Sequence, residues 1–102
     1  MAQHDVHRNV QPSRTQIPFL LDIQADLLQH LTTRVVVPLR PEGTMVPAGR
    51  LNPVFTVEGQ RVIMATAELA AVPLVALGPH VASLEAQYYD IIAAIDLLIT
   101  GI

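Results

Sequence analysis

Residues Ser83–Ile102 read SLEAQYYDIIAAIDLLITGI, and this apolar stretch predicts the helix around which the rest of the chain is organised. Its apolar residues recur at the i, i+3, i+4, i+7 spacing of a helix with one buried side. Ser83 is the predicted N-cap of this helix. Because Ala93, Ala94 and Leu97 widen the apolar surface beyond the buried side, we expect a second subunit to cover them. The buried stripe comprises Leu84, Tyr88, Ile91, Ile92, Ile95, Leu98 and Ile99.

Short β-branched or alternating segments, separated by turn residues, precede this helix and predict a sheet. The Glu58-Gly59 pair predicts a tight hairpin turn, because glycine readily adopts the positive φ that such a turn needs. Short connections favour antiparallel pairing, so the expected class is α+β: a twisted antiparallel sheet or partly open, SH3-like barrel with a C-terminal helix docked on it. The predicted strands are 3–9, Gln16–Gln24, Thr32–Leu39, the two arms of a hairpin between Pro53 and Thr66, and Leu74–Leu77.

The second strand and the connection after it carry residues of interest. Phe19 and Leu21 fall on one face of the strand, and Asp22 falls on the opposite face, which is predicted to be polar. Leu27 and Leu28 then lie among polar neighbours in a connection. Two interpretations of this pair remain open: it packs under the loop, or it binds a partner.

The composition describes a small protein with an aliphatic core. The chain has 102 residues, of which 51% are hydrophobic and 4% aromatic, and we expect one domain over 1–102. With no cysteine, disulfides and cysteine-based metal sites or catalysis are excluded. No apolar run approaches the roughly 18 residues of a membrane span, and the first residues lack the apolar run of a secretory signal. We therefore expect a cytoplasmic protein with no membrane segment.

The charged and polar residues do not form a recognisable catalytic or nucleic-acid site. The formal net charge is −3, and all six basic residues are arginines scattered along the chain. This pattern disfavours unaided nucleic-acid binding, which usually needs a basic stripe. His4 and His7 would point to opposite faces of a strand, which disfavours a metal pair. Because no nucleophile elbow, GxGxxG or P-loop is present, we expect no enzyme, no cofactor and no metal.

Taken together and in order, five segments of the chain resemble the CcdB family, the toxin component of a bacterial toxin–antitoxin pair. No single motif carries the resemblance, which depends on their combination over nearly the whole sequence. The segments are MAQHDVHRN (1–9), PFLLDIQADLL (18–28), RVVVPL (34–39), LNPVFTVEGQRVIMATAELAAVPLVALG (51–78) and YYDIIAAIDLLITGI (88–102).

This resemblance implies a fold and a function. Members of the family are homodimers with a twisted antiparallel sheet, a smaller accessory sheet and a C-terminal helix, a fold shared with MazF-like ribonucleases. The toxin is not an enzyme. It binds the A subunit of DNA gyrase and traps gyrase on cleaved DNA, and a CcdA-like antitoxin neutralises it with a segment that folds on binding. The complex represses its own operon, with operator DNA contacted only by the antitoxin, and such modules serve plasmid maintenance.

The resemblance also implies which residues face gyrase. Gly101 and Ile102 match the family's ending, whereas Thr100 stands where the well-studied poisons carry tryptophan. Ile99 stands where an aromatic residue is usual, and Asp96 where an amide is usual. The implied gyrase-binding positions are Leu27, Leu28, Asp96, Ile99, Thr100, Gly101 and Ile102.

Two alternative functions accompany the gyrase poison. One is a CcdB-like homologue that dimerises and binds antitoxin but no longer poisons gyrase, because Thr100 replaces the tryptophan anchor. The other is a MazF-like endoribonuclease, in which Thr32, Thr33 and Arg34 would supply a hydroxyl and a catalytic arginine. The negative net charge argues against the ribonuclease.

Overall fold

The computed structural model describes residues 2–102, and over this range it shows a curled antiparallel half-barrel of seven strands with one α-helix after them. This confirms the α+β class and the C-terminal position of the helix. The elements are β1 (Asp5–Asn9), β2 (Phe19–Asp22), β3 (Thr33–Pro41), β4 (Val54–Val57), β5 (Gln60–Met64), β6 (Ala70–Pro73), β7 (Leu77–Ser83) and α1 (Tyr88–Thr100).

Strand β3 is the hub of the sheet, whose order is β4-β5-β3-β2-β1-β7. One edge of β3 pairs with β2. Its other edge pairs first with β6, through Thr33–Val36, and then with β5, through Leu39–Pro41. All seven strands belong to one sheet, so the smaller accessory sheet expected from the resemblance is not separate here; the β4–β5 hairpin continues the main sheet through β3.

The hydrophobic core lies between the inner face of the sheet and α1. The helix contributes Ile91 and Ala94, both without exposed surface, and Leu84 just before the helix is 4% exposed. Because Ala94 is fully buried within its own subunit, the prediction that it contacts a second subunit is wrong. The sheet contributes Val6, Phe19, Leu21, Val37, Leu39, Phe55, Val57, Val62 and Met64.

The β4–β5 turn confirms the predicted hairpin and also holds the curl of the sheet. Glu58 and Gly59 both have positive φ, 51° and 77°, as a type I′ turn requires. The Glu58 carboxylate accepts a hydrogen bond of 2.5 Å from the Arg8 guanidinium on β1, which is three strands away from β5 in the sheet order. Arg8 also lies 5.7 Å from the Phe19 ring centroid. This ion pair connects the β4–β5 turn to β1 across the curled sheet.

The helix begins later than predicted, because the segment before it joins the sheet. Strand β7 runs to Ser83, which pairs with Asp5 of β1, so Ser83 is not the N-cap of α1. Gly78 lies inside β7. A Cβ built on Gly78 would lie 2.8 Å from the Arg8 carbonyl oxygen, so only glycine allows β7 to approach β1 this closely.

The predicted strand Leu74–Leu77 was also misplaced. Leu74–Ala76 forms a 3-10 turn, and the strand that pairs with β3 is instead β6, just before it. Residues 67–71 (AELAA) have high helix propensity in isolation. The free edge of β3 provides backbone hydrogen bonds that a helical turn would leave unmade, and this tertiary pairing overrides the propensity.

Asp22 and Arg34 form an ion pair in which neither side chain has exposed surface. Arg34 Nε donates to Asp22 Oδ2 at 2.9 Å, and Arg34 Nη2 lies 2.7 Å from the same oxygen. Asp22 does lie on the opposite face of β2 from Leu21, but that face is buried as well. Burial raises the pKa of Asp22, and the backbone N–H of Gln24 and the Arg34 guanidinium offset part of this effect.

We expect Arg34→Met to lower the free energy of unfolding by about 3–5 kcal/mol, because it leaves the Asp22 carboxylate buried without its cation. The double variant Asp22→Leu/Arg34→Met should be more stable than this single variant, since no uncompensated charge remains. Urea unfolding measures both. Arg61→Met is the control, because the side chains of Arg61 and its partner Glu42 are 58% and 50% exposed. It should change the free energy of unfolding by less than about 1 kcal/mol. A single variant as stable as the control would contradict the prediction.

Candidate partner-binding surfaces

Leu27 and Leu28 lie on a short 3-10 helix, Asp26–Leu28, and both face solvent. Leu27 is 85% exposed and Leu28 is 42% exposed. Leu31, close behind them, is 41% exposed. Of the two interpretations left open by the sequence, packing under the loop is therefore wrong. Exposed aliphatic side chains grouped on one segment are typical of a surface that another molecule covers.

The backbone of this segment is held firmly although its leucines project outward. The Gln3 backbone N–H donates to Asp26 Oδ1 at 2.7 Å, and the Gln3 side chain donates to the Ile23 carbonyl at 3.1 Å. From the other side, buried Gln24 donates to the Leu28 carbonyl at 2.9 Å and accepts from the Val35 N–H of β3. The leucine pair is thus presented by a fixed support.

The C-terminal end of α1 forms a second exposed surface. Gly101 has φ 76° and ψ 14°, and its N–H donates to the Leu97 carbonyl at 3.0 Å, so it caps the helix in the left-handed conformation that suits glycine. Ile99 is 69% exposed and Ile102 is 81% exposed. Thr100 is exposed as well, and its hydroxyl donates to the Asp96 carbonyl at 2.6 Å, back along the helix.

All seven residues predicted to face gyrase are exposed, and they lie on two segments of the chain, Asp26–Leu28 and the C-terminal part of α1 with the residues after it. No hydrogen bond among the described residues joins the 26–28 segment to the end of α1. The start of the helix is linked to that segment instead, because Gln3 donates to Asp26 and the neighbouring His4 contacts Tyr88. The 13 residues of α1 place its C-terminal end roughly 18 Å from Tyr88 at 1.5 Å per residue.

The helix also presents the side that was predicted to meet a second subunit. Ala93 and Leu97 are half-buried and are available for such contact, in contrast to Ala94. The sequence analysis missed a further apolar surface on β6, where Ala70, Ala71 and Pro73 are exposed, and Val75 just beyond it is 85% exposed. The all-apolar run AAVPLV (70–75) was the available signal.

The positions of the arginines contradict the ribonuclease alternative. Arg34, the proposed catalytic arginine, is fully buried against Asp22 and cannot contact RNA. Three more arginines are also bound to carboxylates, in the pairs Arg8–Glu58, Arg40–Glu68 and Arg61–Glu42. The described part of the chain therefore offers no cluster of free cations for a phosphate backbone.

Neither a metal site nor an enclosed pocket is present within residues 2–102. These residues contain no group of three or more His, Cys, Asp or Glu side chains placed to hold a metal ion, and they enclose no pocket. None of the helices in this range is long and apolar enough to cross a membrane. The features that remain are the exposed apolar surfaces, which suit a macromolecular partner better than a small substrate.

Comparison with known proteins supports the resemblance noted in the sequence. Residues 3–101 match a family model described as "CcdB protein". This match covers β1 to α1 and includes both exposed groups up to Gly101. No curated protein matches the chain.

We expect the exposed apolar residues to be nearly neutral for folding. Leu27→Ser should change the free energy of unfolding by less than about 0.5 kcal/mol, because Leu27 packs against little of its own subunit. The control Ile91→Ala, which empties a core position of α1, should lose about 2–5 kcal/mol. Both are measured by urea unfolding. If Leu27→Ser were as destabilising as Ile91→Ala, its role would be structural instead of partner binding.

Proposed function

The chain belongs to the CcdB family, and on that premise we propose that this CcdB-type toxin forms one domain over residues 1–102 that binds the A subunit of DNA gyrase and traps the gyrase–DNA cleavage complex. The observation that carries the proposal is the family match over residues 3–101, together with the exposure of every residue predicted to face gyrase. The toxin acts by binding and performs no catalysis of its own.

The proposed function also includes an antitoxin partner. We infer that a CcdA-like antitoxin neutralises the toxin by covering exposed apolar surface, and that operator DNA in the repressing complex is contacted by the antitoxin alone. The distribution of charge supports this division. The toxin carries a net charge of −3, and four of its six arginines are already bound to its own carboxylates.

The experiment that tests the proposal is expression of the toxin with and without its antitoxin, followed by a cleavage assay with purified gyrase and plasmid DNA. We expect growth arrest that the antitoxin relieves, and cleaved DNA that accumulates only when gyrase is present. Absence of both effects, with antitoxin binding retained, would favour the alternative function. Degradation of cellular RNA would instead contradict both binding functions.

The alternative is a homologue that dimerises and binds antitoxin without poisoning gyrase, and the side chain at Thr100 favours it. Threonine offers a small contact area, and its hydroxyl is already bound to the Asp96 carbonyl. A tryptophan at an interface can supply about 2 kcal/mol or more as an anchor. Thr100 is therefore exposed at the position where the resemblance implies a tryptophan anchor, but it offers no aromatic ring.

We expect Thr100→Trp to strengthen gyrase binding by about 30-fold or more, since about 1.4 kcal/mol corresponds to a factor of ten in affinity. Surface plasmon resonance on the gyrase A subunit measures the change, and growth inhibition should increase with it. Thr100→Val is the matched control, because it removes the hydroxyl without adding an aromatic surface and should leave affinity unchanged. An unchanged affinity in Thr100→Trp would show that the position is not an anchor in this protein.

We also infer that the protein is a homodimer, through the half-buried Ala93 and Leu97 of α1 and the exposed apolar strand β6. Helix α1 packs against the 3-10 turn Thr66–Glu68, which leads directly into β6. The two apolar surfaces are thus connected within one subunit. Covering them with a second copy would remove this apolar surface from water.

Light scattering at micromolar concentration should give twice the chain mass of 11.1 kDa. Leu97→Arg should shift the protein to monomer, because a charge on this surface would be buried without a partner. Val46→Arg is the control, since Val46 is 91% exposed and lies on a loop outside the proposed interface. A wild-type protein that scatters as a single chain, or a Leu97→Arg variant that remains dimeric, would refute this interface.

A further inference from the structure

His4 is buried at a point where three parts of the molecule meet. It is 2% exposed, its backbone N–H donates to the Asp22 carbonyl of β2 at 2.6 Å, and its own carbonyl accepts from the Leu84 N–H at 2.8 Å. Its ring packs edge-on against Tyr88, the first residue of α1, with the centroids 5.4 Å apart. The residue therefore ties the start of the chain to β2, to the end of β7 and to the helix.

The neighbouring residue extends this connection to the exposed leucines. Gln3 holds the Asp26–Leu28 segment through its hydrogen bonds to Asp26 and to the Ile23 carbonyl. Because Gln3 and His4 are adjacent in the chain, neighbouring residues hold the Asp26–Leu28 segment and contact the start of α1. We define residues Gln3 and His4 as the N-terminal joint.

The position of His4 favours a neutral ring. Its Nε2 is buried and makes no hydrogen bond, so a proton placed there has no acceptor. The ring also lies beside the first residue of α1. The positive end of the helix dipole is there, and it disfavours a positive charge on the His4 ring. His4 has φ 71°, so its backbone holds this place in a conformation that non-glycine residues adopt uncommonly.

The acidic groups around His4 oppose this preference without overcoming it. Burial lowers the pKa of His4 below its ordinary value of 6.5, and the carboxylates of Glu85, Asp22, Asp26 and Asp5 act in the other direction. Asp22 is already neutralised by Arg34, and Asp26 is bound to the Gln3 N–H. Tyr88 is the titratable residue that α1 places against the ring.

We propose that His4 makes the N-terminal joint sensitive to protons: when His4 takes up a proton, the joint separates from Tyr88 and loosens the support of Leu27 and Leu28. The partner-binding leucines are then held in one arrangement only while His4 is neutral. This regulation concerns the surface itself and does not depend on which partner covers it.

The sign of the effect on stability follows from proton linkage. In the unfolded chain His4 binds a proton below pH 6.5, whereas in the folded protein it does so only at a lower pH. As the pH falls from 6.5 towards the folded-state pKa, the unfolded state gains a proton that the folded state does not. The unfolding equilibrium constant should therefore rise by up to tenfold per pH unit on account of His4 alone.

The first test compares wild type with His4→Phe by urea unfolding between pH 7.5 and 5. Phenylalanine keeps a ring against Tyr88 and cannot titrate. The logarithm of the unfolding constant of the His4→Phe variant should therefore change with pH less steeply than that of wild type, by up to one unit per pH unit. His4→Asn serves as a second non-titrating variant, because asparagine tolerates positive φ. His30→Gln removes an exposed histidine and should keep the wild-type slope. Equal slopes in wild type and both His4 variants would overturn the proposal.

The second test follows the joint by NMR in the wild-type protein, with the His4 variants as controls. The amide signals of Gln3, Leu27, Leu28 and Tyr88 should shift with the same midpoint as the His4 ring signal. If the signals of Leu27 and Leu28 do not follow His4, or if their transition persists in the folded His4 variants, the coupling is refuted. Neither test uses gyrase or antitoxin, so their outcome is independent of the proposed function.

Discussion

The buried ion pair between Asp22 and Arg34 is the constraint on which the rest of the structure depends. Asp22 pairs with Val36 across β2 and β3, so Arg34 is its diagonal neighbour on the same face. A slip of one residue in this register would turn one of the two charges into the hydrophobic core, at a cost of several kcal/mol. Strand β3 also pairs with β5 and β6, so the position of β3 against β2 also determines where β5 and β6 lie relative to β2.

The parts of the fold that could be predicted from sequence are those encoded by neighbouring residues. The Glu58-Gly59 turn, strand β3 and the helical nature of residues 88–100 all follow from local spacing and turn chemistry. The start of α1 and the positions of β6 and β7 did not follow, because they are decided by free strand edges contributed from elsewhere in the chain. Ser83 illustrates the point: it suits an N-cap, and pairing with Asp5 places it in a strand.

The candidate surfaces show the same division. The resemblance identified seven positions, and only the structure shows that all seven are exposed. Sequence alone also misassigned Ala94, because an alanine on a helix does not reveal whether its small side chain faces the core or a neighbour. The burial of His4 was equally hidden, since polar residues in a weak strand pattern are typical of an exposed edge. Only the contacts with Tyr88 and Leu84 reveal its place.

The pairing of β1 with β7 determines when the fold can be completed. Asp5 pairs with Ser83, and bringing such distant segments together carries a large loop-closure entropy that the local β4–β5 hairpin avoids. During synthesis, β1 leaves the ribosome before its partner β7. The β1–β7 pair, which flanks Val6, therefore cannot form until the chain has been made as far as Ser83, whereas the β4–β5 hairpin can form earlier.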